Sequence, residues 1–285
     1  MAADPPRWFN AIEAALGSTP LRRTSLSGGS IARVERIELA DGRRVVAKTG
    51  TSGFTLEGEM LTFLAEHSDL PVPTVLLARD DILVMEWLPG STRLDPSSQA
   101  HAAELLAALH ERSSENFGFL RDTVIGGLPQ PNPETREWIP FFRDHRLLYI
   151  ARDCHAAGSL SAAMLARLER FAVKLDDLLE EPDRPSLVHG DMWGGNILSD
   201  KGRITGFLDP AIYYAHAEIE LAFSTLFGTF GEAFFERYNG LRPIRSGFFE
   251  TRKDIYNLWH LLTHVRLFGP SYLGGVERVL ARHGV

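Results

Sequence analysis

The chain has 285 residues, 44% hydrophobic and 24% charged, with a formal net charge of −7. This is the make-up of an ordinary soluble protein with a substantial core, and the acidic balance excludes a generic phosphate-backbone binder, which needs a basic surplus. One cysteine (Cys154) excludes an intrachain disulfide. No apolar run approaches the roughly 20 residues of a membrane helix, and the opening MAADPPRWFNAIEAALG has no signal-peptide pattern, so a cytoplasmic location is expected.

A first helix is predicted over Trp8 to Leu16, stopped by Gly17. Antiparallel sheet is predicted from Thr24 to Lys48, because Ile37 and Leu39 alternate with charged residues and Asp41-Gly42 precedes Val45, Val46 and Ala47. SLSGGS reads as the turn between the first two strands. TLEGEMLTFLAEH reads as a helix with Leu56, Met60, Phe63 and Leu64 on one face. Two strands are predicted around Asp80-Asp81, and Pro89-Gly90 punctuates the chain after them. Beyond that point the pattern turns helical. SQAHAAELLAALHER is one amphipathic helix, and MLARLERFAVKLDDLLEE is another, with Leu165, Leu168, Phe171, Leu175 and Leu178 at helical spacing. ELAFSTLFGTFGEAFFERY and IYNLWHLLTHVRLFG continue in the same way. The expected plan is a sheet-rich lobe, a connector near Glu86 to Gly90, and a larger helical lobe.

One stretch fits neither a core strand nor a solvent loop. LVHGDMWGGNIL places His189, Gly190, Asp191, Trp193 and Asn196 between two short apolar runs. Three other features accompany it: the glycine turn Ser27-Gly28-Gly29-Ser30, a strand-ending Lys48 followed by a helix carrying Glu57, and Asp209 in GFLDP. Phosphoryl transfer from ATP needs this set: a loop over the phosphates, a lysine held by a helix glutamate, an aspartate for the acceptor hydroxyl, and oxygen ligands for Mg²⁺. Asp191 can accept the hydroxyl proton. Asn196 and Asp209 offer the oxygens a hard cation prefers. Each part alone has a plainer reading: SGGS as a hairpin turn, Lys48 as a solvated strand end, and Glu57 as a surface residue in competition with Glu59. Together they point to a kinase-type site.

The chain resembles the fructosamine kinase (ketosamine-3-kinase) family, which belongs with the aminoglycoside phosphotransferases. The resemblance covers nearly the whole chain. It is carried by FGFLRDTVIGGLPQPN (Phe117 to Asn132), Trp138 with FFRDHRL, HGDMWGGN, DPAIYYAHAEIELA (Asp209 to Ala222), and Phe268-Gly269 before SYLGG. It implies an α+β, protein-kinase-like two-lobe fold. The antiparallel-sheet N-lobe would be 1–88, binding the nucleotide phosphates, and the helical C-lobe 89–285, with catalytic loop and substrate site. The implied catalytic base is Asp191, and the implied Mg²⁺ ligands are Asn196 and Asp209. ATP would be held by Gly28, Gly29, Ser30, Lys48 and Glu57, by main-chain groups of Glu86, Trp87 and Leu88, and by Met85 at the adenine. On the substrate side stand Trp193, as a wall for the sugar, His189, which can brace the loop or take part in the chemistry, and Glu218, which can meet a cationic substrate or serve the fold. Two positions depart from the family pattern: Ser30 stands near a cysteine of some members, and Ala217 stands where an arginine is frequent.

The implied activity is ATP-dependent phosphorylation of the 3-hydroxyl of a small-molecule or protein-bound ketosamine, by a monomer with no nucleic-acid or membrane partner. The alternatives are a small-molecule kinase of aminoglycoside or choline type, and a nucleotide-binding pseudokinase. The presence of Lys48, Asp191, Asn196 and Asp209 weighs against the last.

Overall fold

The computed structural model describes residues 7–26, 32–51 and 53–285. The expected glycine turn, with Gly28, Gly29 and Ser30, lies outside the described residues. In chain order the elements are α1 (Arg7–Leu16), β1 (Pro20–Ser25), β2 (Arg33–Leu39), β3 (Arg44–Thr49), α2 (Phe54–His67), β4 (Val75–Arg79), β5 (Ile82–Glu86) and α3 (Pro96–His110). Then follow β6 (Thr123–Ile125), β7 (Leu128–Gln130), α4 (Trp138–Phe142), α5 (Leu148–Ala156), α6 (Ala162–Ala172), α7 (Leu175–Leu178) and β8 (Ser186–Val188). The chain ends with β9 (Ile197–Asp200), β10 (Arg203–Phe207), β11 (Tyr213–Ala215), α8 (Glu218–Leu226), α9 (Glu232–Leu241), α10 (Lys253–Phe268) and α11 (Leu273–Arg282).

The chain divides into two compact units, Met1–Ala102 with Gly195–Pro210, and Ala103–Gly194 with Ala211–Val285. The division falls within α3, and the units interleave in sequence. They are therefore not the contiguous segments 1–88 and 89–285. The reason is the β9–β10 hairpin, which joins the first unit through the connector: Ser91 and Ser199 form an antiparallel bridge, and Phe207 N–H donates to Pro71 O at 2.8 Å.

The first unit is built on an antiparallel sheet in the order β1-β2-β3-β5-β4. Asp41-Gly42 forms the β2–β3 turn, where Asp41 Oδ1 accepts from Arg43 N–H at 3.0 Å. β5 is buried on both faces, which is why ILVM reads as an unbroken apolar run. Ile82 and Val84 pack with Ile12 of α1 and with Ile37, Leu39, Val45 and Ala47, whereas Leu83 and Met85 pack with Phe54 and Leu61 of α2. The buried residues of α2 are Phe54, Gly58, Met60, Leu61 and Leu64. The expected face was off by part of a turn: Leu56 and Phe63 are only half-buried, because Phe54 and Leu61 face the sheet instead.

In the second unit α10 packs against α8, α5 and α11. The helix expected over MLARLERFAVKLDDLLEE is two helices, α6 and α7. The chain turns at Val173 and Lys174, and Asp176 and Asp177 occupy the first turn of the new helix, where carboxylates favour the N-terminus. The short β6–β7 hairpin and the antiparallel pair β8–β11 are not foreseen in the region expected to be helical. Among the described residues no helix is long and apolar enough to cross a membrane.

Cys154 lies on α5, fully buried, with its Sγ–H donating to Leu262 O of α10 at 3.3 Å. Burial, with Asp153 beside it, pushes the thiol up to about 12. The native protein is therefore expected to resist thiol reagents and to keep its activity under mild oxidant. A reversible oxidative loss that Cys154→Ser abolishes would contradict this.

Candidate active site

In the first unit three segments bring charges to one point. β3 carries Lys48, the first turn of α2 carries Glu57, and Asp209 follows β10. Lys48 Nζ donates to Glu57 Oε1 at 2.6 Å and contacts Asp209 Oδ1, a residue 161 positions away in sequence. Glu57, rather than Glu59, is thus the carboxylate paired with the lysine. The Lys48 side chain is only 9% exposed. Burial alone would make the ammonium easier to deprotonate, but Asp209 and Glu57 more than offset it and hold Lys48 above its usual range. Burial, with help from Asp209, raises Glu57 despite the adjacent lysine. Asp209 has φ of 55°, in the left-handed region. Asp is among the few side chains found there with any frequency, and such strain gathers at functional positions.

The β9–β10 hairpin explains why Asn196 and Asp209 belong together. Ile197 pairs with Phe207 at its open end, and Leu208 N–H donates to Asn196 O at 2.8 Å. The hairpin thus brings the chain just before β9 alongside the chain just after β10. A carboxamide and a carboxylate form a hard-oxygen donor set, which fits Mg²⁺ held jointly with phosphate oxygens and water. Among the described residues no group of three or more His, Cys, Asp or Glu could hold a metal by itself.

The same hairpin fixes the connector. Thr205 Oγ1–H donates to Pro89 O at 2.6 Å. Gly206 lies under Leu88: a Cβ there would stand 2.3 Å from Leu88 Cδ1, so a larger residue would require the Leu88 side chain to shift. Of the main-chain groups expected to meet adenine, Glu86 N–H already donates to Thr74 O at 2.9 Å, which narrows the connector donors to Trp87 and Leu88. Met85 is buried among Phe54, Leu61 and Leu83.

In the second unit β8 pairs antiparallel with β11, and the segment His189-Gly190-Asp191 continues directly from β8. His189 is fully buried, its carbonyl accepts from Ala211 N–H at 2.8 Å, and its Nδ1 accepts from Asp191 N–H at 3.3 Å. Those are the contacts of a loop brace. Gly190 has φ of 86°, and a Cβ there would stand 2.1 Å from Ala211 O, so no other residue fits without moving the chain. After Asp191 the chain turns back, with Trp193 N–H donating to Asp191 O at 3.1 Å. Met192 is fully buried, whereas Trp193 is 41% exposed and presents an aromatic surface to solvent.

Glu218 requires a correction. It is buried and its two oxygens accept from Arg252 Nε and Nη2, each at 2.7 Å. Glu218 is thus held in an internal bidentate ion pair, and it serves the fold rather than a substrate.

Several residues that support the site were missed in the sequence. Gly190 N–H donates to Glu220 Oε1 at 2.7 Å, Glu220 Oε2 accepts from His110 Nε2 at 2.9 Å, and His110 Nδ1 lies 2.6 Å from the Tyr238 hydroxyl. Burial would raise Glu220, but the hydrogen bonds from His110 and Gly190 help keep it below its usual range. The IGGLPQPN segment forms the β6–β7 hairpin. Gln130 Nε2 donates to Ala211 O at 3.0 Å, and buried Arg146 donates to Pro131 O and Asn132 Oδ1 at 2.6 Å each. A signal existed for two of the missed residues. His110 continues the buried face of α3 formed by Ala103, Leu106 and Ala107, and Glu220 interrupts an apolar run; a polar group on a core face implies a partner.

The model of the fructosamine kinase family matches residues 9–283. A probable ketoamine kinase of Synechocystis sp. is 39% identical over 237 residues, 80% of this chain and 77% of that protein. The chloroplastic protein-ribulosamine 3-kinase of Arabidopsis thaliana is 32% identical over 270 residues, 90% of this chain and 80% of that one. Among solved structures, a candidate fructosamine-3-kinase from Thermobifida fusca superimposes with a TM-score of 0.85 at 28% identity, covering 97% of this chain and 99% of that one. An aminoglycoside phosphotransferase solved with ADP and hygromycin B gives a TM-score of 0.70 at 17% identity, covering 96% and 97%, a likeness of fold. The fold is α+β and protein-kinase-like. With the family model spanning almost its full length, the chain belongs to the fructosamine kinase family.

Proposed function

We propose that the protein transfers the γ-phosphoryl group of ATP to the 3-hydroxyl of a ketosamine sugar, as in fructosyl- or ribulosyl-lysine. The observation that carries the reading is the Lys48–Glu57–Asp209 cluster, one buried cation between two carboxylates drawn from three segments. A structural ion pair needs one carboxylate; the second leaves a surplus negative charge suited to a metal–nucleotide. Lys48, oriented by Glu57, would hold the α- and β-phosphates, and Asn196 and Asp209 would hold Mg²⁺. Bound Mg²⁺ would neutralise phosphate charge. Asp191 would accept the proton of the attacking hydroxyl, held in place by the backbone contacts of His189, Gly190 and Trp193. An alcohol is the fitting acceptor, because a protonated amine has no lone pair to attack with. The ketosamine names of the relatives in this family support that substrate class.

The exposed indole of Trp193 would lie against the apolar face of the sugar. Trp193→Ala should therefore raise KM for the ketosamine several-fold and leave KM for ATP nearly unchanged. The deciding experiment is a panel of ketosamines, aminoglycosides and choline, with product mass as readout. A kcat/KM for a kanamycin-type aminoglycoside above that of every ketosamine would overturn the substrate assignment and leave the kinase reading in place.

A further inference from the structure

We propose that Arg146 is a positioning residue for the Asp191 loop, acting through the β6–β7 hairpin on Ala211. The inference rests on the reading of Asp191 as the group that meets the acceptor hydroxyl. Arg146 lies on a one-turn π-type widening, Arg143–Leu147, in the continuous helical stretch that α4 begins and α5 ends. Such widenings are rare and gather at functional sites.

The Arg146 side chain is fully buried, yet its hydrogen bonds end on neutral oxygens: Pro131 O and Asn132 Oδ1 at 2.6 Å each, and His145 O at 2.9 Å. Aromatic faces surround the rest of it, with the guanidinium carbon 4.0 Å from the centre of the Tyr213 ring, 4.6 Å from Phe141 and 5.3 Å from Trp259. Burying a guanidinium bonded to neutral oxygens is costly, and an apolar side chain would fill the space at less cost. What an apolar side chain lacks is a planar fork that grips two oxygens at the exit of β7 while its flat face rests on Tyr213 of β11.

The hairpin held in this way reaches Ala211 and Ile212. Thr123 Oγ1 accepts from Asn132 Nδ2 and Gln130 Nε2 at 2.8 Å each, Gln130 Nε2 also donates to Ala211 O at 3.0 Å, and the Thr123 hydroxyl donates to Ile212 O at 3.4 Å. Ala211 in turn meets the loop twice. Its N–H donates to His189 O at 2.8 Å, and its carbonyl oxygen leaves Gly190 no room for a Cβ. Gly190 immediately precedes Asp191, so a shift of Ala211 moves the aspartate. A displacement of about 1 Å, caused far from the reacting atoms, is enough to cost about 100-fold in rate.

The test uses the full-length protein and Arg146→Met, Arg146→Lys and Thr123→Val. It reads kcat, both KM values, and hydrogen exchange of the Ala211 amide. Arg146→Met fills the space without the fork and should lower kcat roughly 100-fold, with KM for ATP within about twofold of wild type. Arg146→Lys keeps the charge and part of the hydrogen bonding and should lose about tenfold. Thr123→Val keeps the shape, removes the hydroxyl and should lose about fivefold. Ala211 exchange should quicken in the same order as kcat falls. The proposal is overturned if folded Arg146→Met keeps kcat within about twofold of wild type, if KM for ATP rises as steeply as kcat falls, or if kcat falls with Ala211 exchange unchanged. Should Arg146→Met fail to fold, unchanged kcat and unchanged exchange in Thr123→Val would overturn it. A wild-type protein inactive on every ketosamine would refute the reading of the site, and Ala211 exchange in the same variants would still decide whether Arg146 holds Ala211 in place.

Discussion

Asp191→Asn is expected to lower turnover by roughly 10²–10⁴-fold, the usual contribution of a general base, while ATP still binds. The amide matches the carboxylate in shape, and the contacts that hold the loop are indifferent to the change. Asp191 N–H still meets His189 Nδ1, Trp193 N–H still meets the Asp191 carbonyl, and Gly190 N–H still meets Glu220. The loss should therefore fall on kcat, with KM for ATP little altered. Steady-state kinetics beside direct nucleotide titration measures both quantities. A variant retaining more than half of the wild-type kcat would refute the role of Asp191.

Asp209→Ala is expected to abolish Mg²⁺-dependent ATP binding, and Asn196→Ala to weaken it less. A carboxylate neutralises a divalent cation, whereas a carboxamide supplies only a dipole. Asp209 also contacts Lys48, so its loss leaves a buried ammonium with Glu57 as its remaining carboxylate and disturbs the phosphate-binding lysine as well. Titrating Mg²⁺ against nucleotide binding in each variant tests the order. Metal dependence unchanged in both would contradict the site.

Much of this was legible along the chain because it depends on local pattern. The Asp41-Gly42 turn, the apolar run of β5 and the helical stretch of α10 each depend on neighbours a few residues away. The residues proposed for chemistry were legible for a different reason. A Lys near the end of a strand, an Asp after a glycine and an Asn before another strand are residue types that a fold alone does not call for at those places.

Tertiary structure decided which partner each charged group takes. Glu218 and Glu220 are two residues apart in one apolar run, and nothing in their neighbours along the chain separates their roles. One is paired with Arg252 and the other holds Gly190 through a link to His110. The faces of α2 and the break between α6 and α7 also depend on what lies opposite, which periodicity does not specify.

By itself, the sequence determined the order of sheet-rich and helical regions, the hairpin at Asp41-Gly42 and the set of reactive side chains, because these follow from backbone preference and residue chemistry over short spans. Only the tertiary structure decided that Lys48 meets both Glu57 and Asp209, that 195–210 belongs with the sheet-bearing unit, and that a buried His–Glu pair supports the Asp191 loop. Burial makes an unpaired polar group costly, so Lys48, Glu218 and Glu220 take partners in Asp209, Arg252 and His110 that are far away in the chain.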